Sequence, residues 1–128
     1  MVAWNWIDCG FANAVHDEQL NIHGGRAGLR DQGLLDSALA RPQNLAAYEN
    51  PDAAALAASY AFGIARNHAF VDGNKRTALV VSETFLIDNS FGLTASDAEL
   101  AVLFQHLAAG DVSESELADW FRERISTS

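Results

Sequence analysis

Residues 68 to 76 read His-Ala-Phe-Val-Asp-Gly-Asn-Lys-Arg, a stretch that combines an imidazole, a carboxylate, a glycine and two cations. The glycine and the helix-forming residues after it read as a loop entering a helix N-terminus. The first N–H groups of a helix lack intrahelical partners and, with the helix dipole, attract anions. Gly73 removes the Cβ that would block close backbone approach. Asn74 opens the helix, Lys75 supplies a point charge, and Arg76 offers a planar fork for phosphate oxygens. Asp72 beside bound phosphates is a natural Mg²⁺ ligand, because this ion takes one or two carboxylates plus phosphate oxygens. His68 lies four residues earlier, and an imidazole with its ordinary pKa of roughly 6.5 suits a general base at neutral pH. Phe70, between the two, reads as an anchor pointing into the core. Together these parts describe a nucleotide–Mg²⁺ site with a base for an incoming hydroxyl, which is phosphoryl or nucleotidyl transfer chemistry.

Other motifs fail on spacing. A P-loop needs Gly-Lys-Ser/Thr, and here Asn74 separates Gly73 from Lys75. An EF-hand would place Arg76 at its third ligand position. No His-Glu-x-x-His occurs. His16 and His23 lie two helical turns apart with no third ligand in view, and read as ordinary helix residues. The single cysteine, Cys9, excludes an internal disulfide framework and a cysteine zinc site, and reads as an unactivated thiol.

The elements around this stretch belong to a chain of 128 residues, the size of one domain over 1–128. The apolar runs are too short to span a membrane. The start, Met1-Val2-Ala3-Trp4, lacks the basic and apolar regions of a signal peptide, which makes a cytoplasmic location the expectation. The net charge is −9, so the surface as a whole repels nucleic acid. Against that balance, Arg66, Lys75 and Arg76 fall within eleven residues with Asp72 as the only acid among them. Arg66 has two destinations open to it, a phosphate or a helix C-terminal carbonyl. Arg30 and Asp31 read as structural, with Asp31 capping a helix and Arg30 hydrogen-bonding near it.

Alanine contributes 23 residues, which favours helix. The spacing predicts a helix over about 8–23, capped by Asp8, with Phe11, Val15 and Ile22 on its apolar face and Gly24-Gly25 at its end. A short helix follows Asp31 with Leu34, Leu35, Ala38 and Leu39, stopped by Pro42. Asn50-Pro51 reads as an N-cap and first helical residue, opening a helix through Leu56, Tyr60 and Ile64 to about Asn67. After the loop, a helix runs from about Asn74 to Asn89. Ser96 with Glu99, and Ser113 with Glu116, are capping boxes that open two more helices, through Leu100, Leu103, Phe104, Leu107 and through Leu117, Trp120, Phe121. The expected fold is all-α: six helices, the motif loop preceding a central helix, and at most a short β-hairpin.

The string His68-Ala-Phe-Val-Asp-Gly-Asn-Lys-Arg76 resembles the signature of the Fic/Doc family, in its Doc (death-on-curing) branch. Gly24-Gly25, the segment from Gly28 to Leu39, Arg41-Pro42, Tyr48 and the continuation Thr77-Ala-Leu extend the resemblance along most of the chain. It implies that His68 takes a proton from a target hydroxyl. It also implies that Asp72 holds Mg²⁺, and that Gly73, Asn74, Lys75 and Arg76 bind the phosphates of ATP. Further, it implies a toxin that phosphorylates a protein hydroxyl, a threonine of elongation factor Tu, and so stops translation. The implied partner is a cognate antitoxin of the Phd type.

AMP-transferring Fic enzymes carry His-Pro-Phe-x-x-Gly-Asn-Gly-Arg-x-x-Arg. Here Ala69, Lys75 and Leu79 replace the proline, the second glycine and the last arginine. A lysine side chain crowds the pose in which a diphosphate lies on bare backbone, which favours kinase over AMP-transferase chemistry. AMP transfer and a catalytically idle, repressor-like binding module are the two alternatives. No Ser or Thr opens the inhibitory pattern Ser/Thr-x-x-x-Glu-Gly/Asn; Leu45 stands where the hydroxyl would be in Leu45 to Asn50. Control in trans is therefore expected, by an antitoxin whose tail folds on a groove that the apolar helices carrying Phe104 and Trp120 are candidates to line.

Overall fold

The computed structural model describes residues 3–127; Met1, Val2 and Ser128, the first two of which begin the N-terminal stretch read above, lie outside the described residues. In chain order the elements are α1 (Cys9–His23), α2 (Gln32–Tyr48), α3 (Ala53–Asn67), α4 (Asn74–Asp88), β1 (Phe91–Leu93), α5 (Asp97–Ala109), α6 (Glu114–Arg124) and β2 (Ile125–Thr127). The architecture is the expected all-α bundle of six helices. The strands pair antiparallel, Phe91 with Thr127 and Leu93 with Ile125. They are not a hairpin: α5 and α6 lie between them, so the ladder closes a two-helix excursion. No helix among the described residues is long and apolar enough to cross a membrane.

Helix α3 is the axis. Its alanines, with Leu56, Tyr60 and Ile64, are buried on nearly all sides. Small side chains let neighbours approach: a Cβ added at Gly63 would lie 3.3 Å from Ala38 Cα of α2. Tyr60 is fully buried and its hydroxyl accepts the Ile7 N–H at 2.9 Å. Burial pushes that phenol up to about 12. Tyr60, Trp6 and Trp4 all pack on the Phe85 ring of α4, at centroid distances of 5.1, 6.0 and 5.9 Å. This aromatic cluster ties the N-terminal lead-in to the helix that follows the motif loop.

Three expectations are corrected. Pro42 does not stop α2, which continues through it to Tyr48. Proline inside a helix loses one backbone bond at a cost of about 3 kcal/mol, and here Pro42 is buried, so packing of α2 offsets the loss. Helix α3 is capped by Asp52, whose carboxylate accepts the Ala55 N–H, so Asn50-Pro51 lies ahead of the cap. On α1 the buried face is Ala12, Val15 and His16, whereas Phe11 and Ile22 are exposed. Phe104 itself is 1% exposed and belongs to the core, while the helices that carry Phe104 and Trp120 border a groove lined by Val102, Leu103 and Trp120.

Candidate active site

Five of the six helices begin with a side-chain cap: Asp8, Asp31, Asp52, Ser96 and Ser113 each accept a backbone N–H of the first turn. Helix α4 is the exception. Its N-cap is Gly73, in the left-handed region at φ 81°, with no side chain to cap it. The first intrahelical bond runs from Thr77 N–H to Gly73 O at 3.0 Å, and the N–H groups of Asn74, Lys75 and Arg76 meet no acceptor among the described residues. An exposed helix start with three free donors is an anion site by construction.

The loop that presents this terminus is held on every side. His68 ends α3 in the left-handed region, φ 52° and ψ 48°, one of two non-glycine residues there among those described. That turn sends Ala69 and Phe70 inward, at 1% and 2% exposure, and leaves the His68 ring exposed. Phe70 is thus the core anchor that the sequence predicts. The Asn74 amide spans the turn: its Oδ1 accepts the Phe70 N–H at 3.0 Å and its Nδ2 donates to Phe70 O at 2.9 Å. The Asn74 side chain is therefore committed to the loop, and its backbone N–H is the part that faces outward. From the other side the 24–31 segment pairs with the loop. Arg30 and Asp31 N–H both donate to the Ala69 carbonyl, at 2.7 and 3.0 Å, and Val71 N–H donates to Gly28 O at 3.0 Å.

Asp72 is exposed, and its two oxygens are each aimed by a backbone donor. Oδ1 accepts the Gly73 N–H at 2.9 Å and Oδ2 accepts the Arg26 N–H at 3.2 Å. These donors, Arg26 first and then Gly73, hold the carboxyl below the usual range, with smaller pushes from Arg76 and His16. The carboxylate stays ionised with lone pairs to spare. Lys75 and Arg76 are exposed beside it. His68, Asp72, Gly73, Asn74, Lys75 and Arg76 line one cleft of about 410 Å³, together with Ala65, Val71 and Ala108.

One contributor escaped sequence reasoning. His16, read as an ordinary helix residue, is 3% exposed and stacks flat on Phe70 beneath the loop. The available signal was its place on the face shared with Ala12 and Val15, a polar ring where an apolar one is expected. Arg66 donates no hydrogen bond to a helix C-terminal carbonyl among the described residues; its guanidinium lies over the Phe62 ring, 5.2 Å from the centroid. Arg30 makes its structural hydrogen bond through its backbone alone.

Among the described residues no cluster of three or more His, Cys, Asp or Glu side chains forms a protein-only metal cage. A single exposed, ionised carboxylate next to free helix-start donors fits Mg²⁺ shared with phosphate oxygens. The donor set therefore suits a metal that arrives with its nucleotide.

An all-α bundle that presents an uncapped helix start beside an exposed histidine is the arrangement of a phosphate-handling transferase. The chain belongs to the Fic/DOC family, whose family model matches residues 6–86. It is 39% identical over 110 residues to "Protein kinase doc" of Escherichia phage P1, covering 85% of this chain and 86% of that one. It is 50% identical over 78 residues to "Toxin Doc" of Mycolicibacterium smegmatis, covering 56% of this chain and 57% of that one.

Proposed function

We propose that this chain is a Doc-type toxin, a phosphotransferase that moves the γ-phosphoryl group of ATP to a protein hydroxyl. The observation that carries the reading is the uncapped N-terminus of α4, which shares one cleft with the exposed His68. Lys75, Arg76 and the three free N–H groups hold the phosphates and take up negative charge as the bond to the leaving diphosphate breaks. His68 receives the proton of the attacking hydroxyl. Asp72 is the residue that would hold Mg²⁺, and that ion, when bound, neutralises charge shared between the phosphates. The pairing of 24–31 with 69–71 fixes the geometry in advance, which is where positioning catalysis gains its rate.

The name of the phage relative supports kinase chemistry, and Lys75 in place of a glycine supports it independently. The target implied by the resemblance is a threonine of elongation factor Tu, with arrest of translation as the outcome. The partner is an antitoxin of the Phd type, in the cytoplasm. Incubating the protein with a bacterial lysate and either γ-labelled or α-labelled ATP tests the reaction. Transfer of the γ label alone is expected. Transfer of the α label to protein makes the chain an AMP-transferase instead, and transfer of neither removes the catalytic reading.

A further inference from the structure

The chain has 17 acidic and 8 basic side chains, yet the bases are not spread evenly among the acids. Arg41 pairs with Glu114, Arg122 with Asp52 and Asp119, and Arg124 with Glu99 and Glu123. The remaining bases, Arg26, Arg30, Arg66, Lys75 and Arg76, form no ion pair with any described residue, and all are exposed. Every one of them sits at the motif loop. The Arg26 backbone donates to Asp72 and the Arg30 backbone to Ala69. Arg66 stands two residues before His68, against Phe62 and close to Gly110 in the turn between α5 and α6. Lys75 and Arg76 are accounted for by phosphate binding. Arg26, Arg30 and Arg66 are not.

These three fall on two sides of His68: Arg26 and Arg30 on the paired 24–31 segment, Arg66 on the last turn of α3. The backbones of Arg26 and Arg30 are fixed by hydrogen bonds to the loop, and that of Arg66 lies within α3. Over the rest of its surface a chain of net charge −9 repels an acidic partner. These unpaired cations set against that acidic surface would attract an acidic segment and orient it across the cleft.

We propose that Arg26, Arg30 and Arg66 form a cationic rim that binds an acidic segment of the protein substrate, holding its acceptor hydroxyl over His68. The proposal rests on the phosphotransfer reading of the same cleft and adds the chemistry by which the substrate is chosen. The nucleotide is the competing occupant, and the test separates the two.

The full chain, with ATP and Mg²⁺, is titrated against three fluorescently labelled peptides. Each carries one threonine, flanked by glutamates, by glycine and serine, or by lysines, and binding is read by anisotropy. The acidic peptide should bind about tenfold more tightly than the neutral one at low salt, with the difference shrinking as salt rises. Arg26→Gln/Arg30→Gln/Arg66→Gln should abolish the preference while ATP affinity stays within about twofold. The single variant Arg30→Gln, which touches no side-chain contact, should lose part of it, and the salt dependence of the wild type needs no variant at all. Equal binding of acidic and neutral peptides overturns the proposal, as does a preference unchanged in the variants. A parallel loss of ATP affinity also overturns it, by assigning the rim to the nucleotide. Absence of γ-label transfer to any lysate protein overturns the phosphotransfer reading separately, because the peptide comparison needs no turnover.

Discussion

The imidazole of His16 lies on the ring of Phe70, centroids 3.8 Å apart and planes within 9°, and its Nε2 donates to the Asp72 carbonyl at 2.7 Å. One residue of α1 thus supports the loop that joins α3 to α4 at two points, Phe70 and Asp72. The carbonyl can only accept, so His16 carries a proton on Nε2. Stacking and hydrogen bond together make His16 a positioning residue beneath the site.

Replacing His16 with phenylalanine keeps the stack and removes the hydrogen bond. A lost hydrogen bond of this kind costs about 1 kcal/mol, which for a chain of this size lowers the melting temperature by about 4 °C. Because the bond aims the Asp72 segment, His16→Phe should also weaken Mg²⁺–ATP binding. A purely structural role would lower the melting point and leave that affinity unchanged. Thermal melts with and without Mg²⁺–ATP give both readings.

His68→Ala should abolish transfer, since a general base contributes about 10²–10⁴-fold, while ATP still raises the melting temperature. His68 also stands in the left-handed region, where a Cβ costs about 1–2 kcal/mol and glycine escapes the cost. His68→Gly should therefore melt no lower than His68→Ala and be equally inactive. Cells that the wild type arrests should tolerate expression of either variant.

Asp72→Asn places an amide where two backbone donors, Arg26 N–H and Gly73 N–H, now meet a carboxylate. Only one amide atom accepts, so one donor is left facing an NH₂ group, and the 24–31 segment loses a tie. Mg²⁺ should then no longer strengthen ATP binding. The variant also carries a pH signature. The folded-state carboxyl is held below its ordinary value, so its contribution to stability is complete above the unfolded pKa of about 3.9. It is lost as pH falls through the lower folded value. The difference in melting temperature between wild type and Asp72→Asn should be constant from pH 5 upward and shrink below pH 4.

Much of this arrangement was legible from residue order because local chemistry dominates it. Asp8, Asp31, Ser96 and Ser113 cap where capping rules place them, since a cap and its helix lie within four residues. Pro42 broke the local rule because its environment is tertiary: α2 packs on α3 through Ala38 and Gly63, and no window around residue 42 contains that contact. His16 escaped for the same reason, as Phe70 and Asp72 are more than fifty residues away in sequence. Of the proposed cationic rim, Arg66 was visible in the sequence, in the cluster with Lys75 and Arg76. The other two, Arg26 and Arg30, join it only when 24–31 pairs with the loop.

Lys75 is the residue expected to decide between the two transfer reactions. It is the sole lysine, is exposed, lines the cleft, and its own N–H is one of the three free donors at the start of α4. Lys75→Gly keeps the N–H and deletes the charge. Hydrogen bonds to charged groups contribute about 1.5–3 kcal/mol, so phosphate transfer should fall by about 10–100-fold. The same change clears the backbone for a diphosphate, the pose that the glycine of AMP-transferring Fic enzymes allows. Intact mass of the modified target, taken for wild type and Lys75→Gly side by side, distinguishes a phosphate from an AMP adduct. The wild type should add phosphate only, and less of it should appear in the variant. A wild-type adduct with the mass of AMP would mean that the lysine does not set the orientation of the nucleotide, and the kinase assignment would fall with it.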